Sequence, residues 1–164
     1  MTARRTPEGE SNKMSFNHPA ILETAQALGE TTLLADAAQI VDLCRYMKET
    51  EKFVRLSGAT AVDWHPSEPR FEVVYHLHSI EPNRRLRIKI RVSGTNPEVD
   101  SVTGVWRAAD WYEREMFDLF GISFRNHPNL RRILMPLDWE GHPLRKDYPT
   151  HGYKYDYAAG TGRE

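Results

Sequence analysis

Arg85-Leu86-Arg87-Ile88-Lys89-Ile90-Arg91-Val92 is the stretch that decides the fold. On an extended chain Leu86, Ile88, Ile90 and Val92 fall on one side, and Arg85, Arg87, Lys89 and Arg91 on the other. This period-two alternation predicts a strand in a sheet with one buried and one wet face. Glu81-Pro82-Asn83 precedes it as a turn, and Phe71 to Ile80 reads as the neighbouring strand. Asp63-Trp64-His65-Pro66, with Pro69, makes the turn before that. Phe53 to Val62 is a further strand, interrupted at Ser57-Gly58.

On the N-terminal side, Thr31 to Leu34 suits a short strand. Asp36 suits the cap of a helix carrying Ile40, Val41, Cys44 and Met47 at helical spacing and ending near Glu49. Asn17 and Pro19 resemble an N-cap and first turn. The apolar series Ile21, Leu22, Ala25 and Leu28, stopped by Gly29, then predicts a helix there too. On the C-terminal side, Asn96-Pro97 is a loop and Val102 to Trp106 a helical turn. Asp110 starts the next helix, with Glu113 three residues on as in a capping box, and Gly121 ends it. The expected class is α+β: a mixed or antiparallel sheet of three to five strands with helices packed on it, followed by an extended C-terminal arm. The chain divides into a polar, disordered segment at 1–15, an α+β domain at 16–124 and the arm at 125–164.

The bulk numbers exclude several function classes. With 164 residues and 40% hydrophobic content, the chain can bury a core of ordinary size. A net charge of −1 provides no global attraction to nucleic acid or anionic lipid. No apolar run approaches the ~18 residues that span a bilayer, and residues 1–16 lack the apolar stretch of a secretory signal. The one cysteine, Cys44, excludes an intrachain disulfide and a self-contained iron–sulfur site. His76 and His78 share a strand face and could begin a zinc site, but no further ligand stands at a recognisable spacing, so no metal is expected. A Gly-x-Gly-x-x-Gly after a strand and a Walker loop are both missing. The sequence offers no catalytic chemistry of its own.

The densest stretch runs from Glu113 to Pro149. On the helix at 110–120, Tyr112, Met116, Phe117, Leu119 and Phe120 cover one arc at 100° per residue. Glu113 falls inside that arc, while Arg114, Glu115 and Asp118 lie on the other side. A carboxylate on an apolar face calls for a partner. Glu113 is expected either to reach back to the helix start or to meet Arg131 or Arg132, and both roles are structural. Arg114, one turn from Asp110 and Asp118, reads as part of a solvated ladder. Beyond Gly121, prolines at 128, 136, 143 and 149 prevent sustained helix. Yet the arm holds Leu130, Ile133, Leu134, Met135, Leu137, Trp139, Leu144 and Tyr148. An extended arm this apolar should lie against its own domain or another protein.

Glu113-Arg114-Glu115-x-x-Asp118-Leu119-Phe120, then six residues, His127, three residues and Arg131-x-Ile133-Leu134, closely resembles the signature of one family. That family is the C subunit of the proton-translocating NADH:quinone oxidoreductase, respiratory complex I, of bacterial type. The resemblance extends through Pro149 and backwards over Phe71 to Leu77 and Arg85 to Ile88, and thins before about residue 50. It implies a non-catalytic subunit of the peripheral arm, on the cytoplasmic side of the bacterial inner membrane. Its partners would be chiefly the quinone-binding and iron–sulfur subunits, with membrane contact only through the complex. No cofactor is expected in this chain; FMN and iron–sulfur clusters would sit in partner subunits. The residues expected at the partner interface or in the motif are Glu113, Arg114, Glu115, Asp118, His127, Arg131, Arg132, Trp139, His142, Arg145, Lys146 and Tyr148. An equivalent subunit of a membrane-bound hydrogenase or related dehydrogenase is the alternative. An RNA-binding module using the basic strand face is a more distant one, since that face lacks exposed aromatics for base stacking.

Overall fold

A computed structural model describes residues 14–150. The disordered segment expected at 1–15 and the end of the arm therefore fall largely outside the described residues. The fold is α+β. In chain order it comprises β1 (Ile21–Ala27), β2 (Glu30–Ala35), a short 3-10 turn (Ala37–Gln39) and α1 (Ile40–Glu49). There follow β3 (Arg55–Asp63), β4 (Phe71–Ser79), β5 (Arg84–Val92), β6 (Glu98–Asp100), α2 (Ala109–Phe120) and β7 (Ser123–Arg125). Five strands form a mixed sheet in the order β1-β2-β5-β4-β3. β2 and β5 run parallel, and every other pair in this sheet is antiparallel.

The alternation in β5 settles the layering. Leu86, Ile88, Ile90 and Val92 are buried and stand beside Phe71, Val73, Tyr75 and Leu77 of β4 and Leu33 of β2. Against this face pack Ile40, Leu43, Cys44 and Met47 of α1 and Met116, Leu119 and Phe120 of α2, in one continuous core. The opposite face is polar. There the buried Glu72 accepts from Lys89 at 3.0 Å and Arg91 at 3.1 Å, and Arg87 pairs with Glu30. Asp36 caps the 3-10 turn leading into α1 by accepting from the Ala38 amide. The interruption at Ser57-Gly58 is a register shift between Leu56 and Gly58 in the β3–β4 pair.

The helix expected over 17–29 is instead the β1–β2 hairpin. Leu28 and Gly29 both have positive φ, 52° and 76°, as a two-residue turn between twisted antiparallel strands requires. A glycine that ends a helix and one that closes such a turn satisfy the same backbone demand, so Gly29 is consistent with either. The expected apolar stripe is not buried: Leu22 is 65% exposed and Leu28 fully so. β6 and β7 pair in parallel, with Arg125 donating to both Asp100 oxygens at 2.9 Å. At three residues each, they are too short to display a period.

Candidate docking interface

The second half of α2 ends in carbonyls that no further helical turn can satisfy. Gly121 caps the helix in the left-handed region at φ 72°, and its N–H reaches the Phe117 carbonyl at 3.0 Å. The arm supplies the remaining donors. The Asp118 carbonyl accepts from His142 Nδ1 at 2.9 Å, the Leu119 carbonyl from the Leu144 N–H at 3.0 Å, and the Phe120 carbonyl from Arg145 Nε at 2.6 Å. A Cβ on residue 121 would meet the His142 ring at 2.5 Å, so the absence of a side chain there lets the arm come this close.

The Asp118 side chain does more than its backbone. One oxygen accepts three consecutive amides, from Ile133 at 3.0 Å, Leu134 at 2.8 Å and Met135 at 2.9 Å. The other accepts from Arg132 Nη1 at 2.7 Å, and Arg132 Nη2 in turn donates to the Gly141 carbonyl at 3.1 Å. Burial alone would raise the Asp118 pKa, but these donors outweigh it and hold the group below the usual carboxylate range. One turn earlier, Arg114 donates to the carbonyls of Arg131 at 3.2 Å and Arg132 at 3.3 Å, with its guanidinium 5.3 Å from the Trp111 ring centroid. Arg114 and Asp118, expected on a wet helix face, are both buried. Helical angle places them opposite the core, and the returning arm covers that side.

At its far end the arm reaches the sheet. Asp63, buried at the end of β3, accepts from Arg70 at 2.8 and 2.7 Å, from the Lys146 amide at 2.8 Å and from the His65 amide at 2.9 Å. Arg70 also holds Asp147 through contacts of 2.9 and 2.6 Å. Burial acts to raise the Asp63 pKa, yet Arg70 and the two amides drive it well below the usual range. The guanidinium carbons of Arg70 and Arg145 both approach the Phe71 ring, at 5.0 and 5.3 Å from its centroid.

Glu113 takes neither course expected of it. It is fully buried, and its two oxygens accept from the Ser101 hydroxyl at 2.6 Å and the Val102 amide at 2.7 Å, in the loop before α2. Asp110 lies in the first turn of α2, and the helix start carries no side-chain cap. His127 lies with its Nε2 3.2 Å from Asp110 and 3.9 Å from Glu113. Burial pushes the Glu113 pKa up to about 7, against the two hydrogen bonds that favour its charged form. Because the folded value lies above the unfolded one, stability is highest with the group protonated and falls as pH rises from ~4.5 to about 7. The fall amounts to about 3 kcal/mol. Glu113→Gln retains the shape and one acceptor without the charge. In urea unfolding its advantage over the parent should be small at pH 5 and much larger at pH 8. A variant less stable than the parent at pH 8 would mean that the ionised carboxylate is stabilising.

The remaining motif residues are less enclosed. Glu115, Arg131 and the Lys146 side chain are exposed, and Trp139 is half-buried. The Tyr148 hydroxyl donates to the Glu140 carbonyl at 3.3 Å. Facing outward are Leu134 at 61%, Leu137 at 86% and Leu144 at 51% exposure, along with Trp111 at 60%. Trp111, Arg70, Asp63 and Asp147 are absent from the expected interface residues. Trp111 shares a helix face with Arg114 and Asp118, a spacing visible in the sequence. The Asp63–Arg70–Asp147 clasp leaves no such trace. Among the described residues no cluster of three or more His, Cys, Asp or Glu side chains could hold a metal ion, and no helix is long and apolar enough to cross a membrane.

Residues 33–154 match the family described as respiratory-chain NADH dehydrogenase, 30 Kd subunit. The chain is 50% identical over 133 residues to the C subunit of the NADH-quinone oxidoreductase of Geotalea uraniireducens, covering 81% of each. Among solved structures it resembles a chain of an archaeal respiratory membrane complex, the membrane-bound sulfane sulfur reductase. There the identity is 30% and the TM-score 0.71, over 80% of this chain and 78% of the other. It also resembles the trypsin-resistant fragment of Nqo5, at 29% identity and TM-score 0.60, over 64% of this chain and 86% of that one.

Proposed function

This chain belongs to the respiratory-chain NADH dehydrogenase 30 Kd subunit family, and from that premise we propose that it is a structural, non-catalytic subunit of an NADH:quinone oxidoreductase. In this reading it sits in the peripheral arm, against the quinone-binding and iron–sulfur subunits. FMN and clusters are carried by partners, and the chain meets the membrane, on its cytoplasmic side, only through the complex. The isolated chain neither oxidises NADH nor reduces quinone. The observation that carries the proposal is the construction of the arm. Its backbone is tied inward by Arg114, Asp118 and Arg132, which leaves Leu134, Leu137 and Leu144 exposed. Apolar side chains held at fixed positions on an ordered strap suit a partner's pockets.

Arg145, a residue expected at the interface, here caps α2, so Arg145→Ala should lower the melt of the free chain as well as docking. Leu137→Asp separates the two effects, because Leu137 is 86% exposed. The expected result is an unchanged melt of the isolated chain with recovery of the tagged chain in the complex reduced about tenfold, as for a lost interface anchor. Normal recovery would remove this part of the arm from the interface. The likeness to a sulfane sulfur reductase complex keeps a related respiratory complex as the second reading. Identification of the co-purifying subunits decides between them.

A further inference from the structure

The open face of the main sheet is electrically uneven. At one end Glu72 is paired with both Lys89 and Arg91, and Arg91 lies 5.3 Å from the Trp64 ring centroid. At the other end, register places Arg55 of β3, His78 of β4 and Arg85 of β5 directly opposite one another in a single row. The next row sets Gly58, His76 and Arg87 side by side. A Cβ on Gly58 would meet open space, and the depression around it, about 380 Å³, is lined by Arg55, His76, His78, Arg85, Arg87 and Glu30 among others. Arg87 is paired with Glu30, whereas neither Arg55 nor Arg85 has an ion pair or side-chain hydrogen bond among the described residues.

Arg55 and Arg85 thus leave two cations on this end of the face with no carboxylate bound to either among the described residues. With strands ~4.8 Å apart, Arg55 and Arg85 flank His78 at about 10 Å from each other. That span suits two carboxylates on one short segment, and guanidinium forks bind carboxylates bidentately. We propose that this end of the sheet is a second docking site, distinct from the arm, for an acidic segment of a partner polypeptide whose Asp or Glu side chains meet Arg55 and Arg85. A nucleic acid fits less well: no Phe, Tyr or Trp lines the depression, and Glu30 at its rim would repel a continuous phosphate chain.

The inference rests on the proposed membership of a multi-subunit complex. It is tested in that complex with Arg55→Lys and Arg85→Lys, which keep the charge and supply an amine. A zero-length carbodiimide then joins amines to carboxylates in direct contact, and mass spectrometry locates the bonds. Cross-links from positions 55 and 85 to Asp or Glu of another polypeptide of the complex are expected, with the Lys89–Glu72 bond as an internal control. Charge reversal by Arg55→Glu with Arg85→Glu should lower recovery of the chain in the complex about tenfold and leave its melt unchanged. The site is overturned if the control bond forms without bonds to another polypeptide, if the reversed chain is recovered normally, or if the reversal removes co-purifying RNA instead. Should the unmodified chain fail to recover NADH dehydrogenase subunits at all, the functional reading itself is what fails.

Discussion

Asp118→Ala is expected to cost about 3–5 kcal/mol and to release the arm. The carboxylate is buried, and its removal strands three amides and the Arg132 guanidinium together. No rearrangement of one neighbouring side chain can satisfy four donors that converge on the two oxygens of one carboxylate. Two measurements follow the loss. The urea midpoint should fall, and trypsin should cleave after Arg131 and Arg132 while the sheet remains intact. Asp118→Asn should be milder, since its carbonyl still faces the three amides, although its NH₂ then meets Arg132. Unchanged trypsin resistance in Asp118→Ala would show that the arm is held from elsewhere.

Arg70→Ala should cost about 3 kcal/mol. Arg70 is the only side chain among the described residues that contacts the buried Asp63 carboxylate, leaving it two backbone amides when removed. Asp63 stabilises the fold above the ordinary carboxylate range, and that contribution is lost as pH falls through its lowered folded value. Without Arg70 the lowering shrinks, so the acid-unfolding midpoint should move to higher pH. Arg70→Lys should restore only part, because an ammonium cannot make the forked contact with Asp63 and reach Asp147 as well. An acid midpoint that does not move in Arg70→Ala would locate the stabilisation of Asp63 in the backbone amides alone.

β5 is legible in the sequence because its alternation from Arg85 to Val92 has one physical cause, a sheet with two unlike faces, and β3 and β4 are legible from the turns that bound them. The 17–29 segment misleads because Gly29 and a few spaced apolar residues fit a helix end as well as a hairpin. The arm's prolines and apolar residues announce a need for a surface, but not the surface chosen. Arg114 and Asp118 show why: a helical projection gives the angle of a side chain and not what later folds over it. Glu113 is recognisable as a carboxylate needing partners, yet its donors come from a loop ahead of the helix. The clasp through Asp63 joins positions 83 residues apart, with no local pattern to announce it.

The parallel pairing of β2 with β5 also sets an order of events during folding. β3, β4 and β5 follow one another through short turns, and each can zip onto the last with little loop entropy to lose. The β1–β2 hairpin is equally local, but its inner edge has no partner until the chain from Arg84 to Val92 is in place. Two separately nucleated pieces must therefore meet, across a connection containing α1, β3 and β4. Such a long-range joining step is slow compared with hairpin closure. β1 and β2, made before β5, are thus among the last of the described strands to find their neighbour in the sheet.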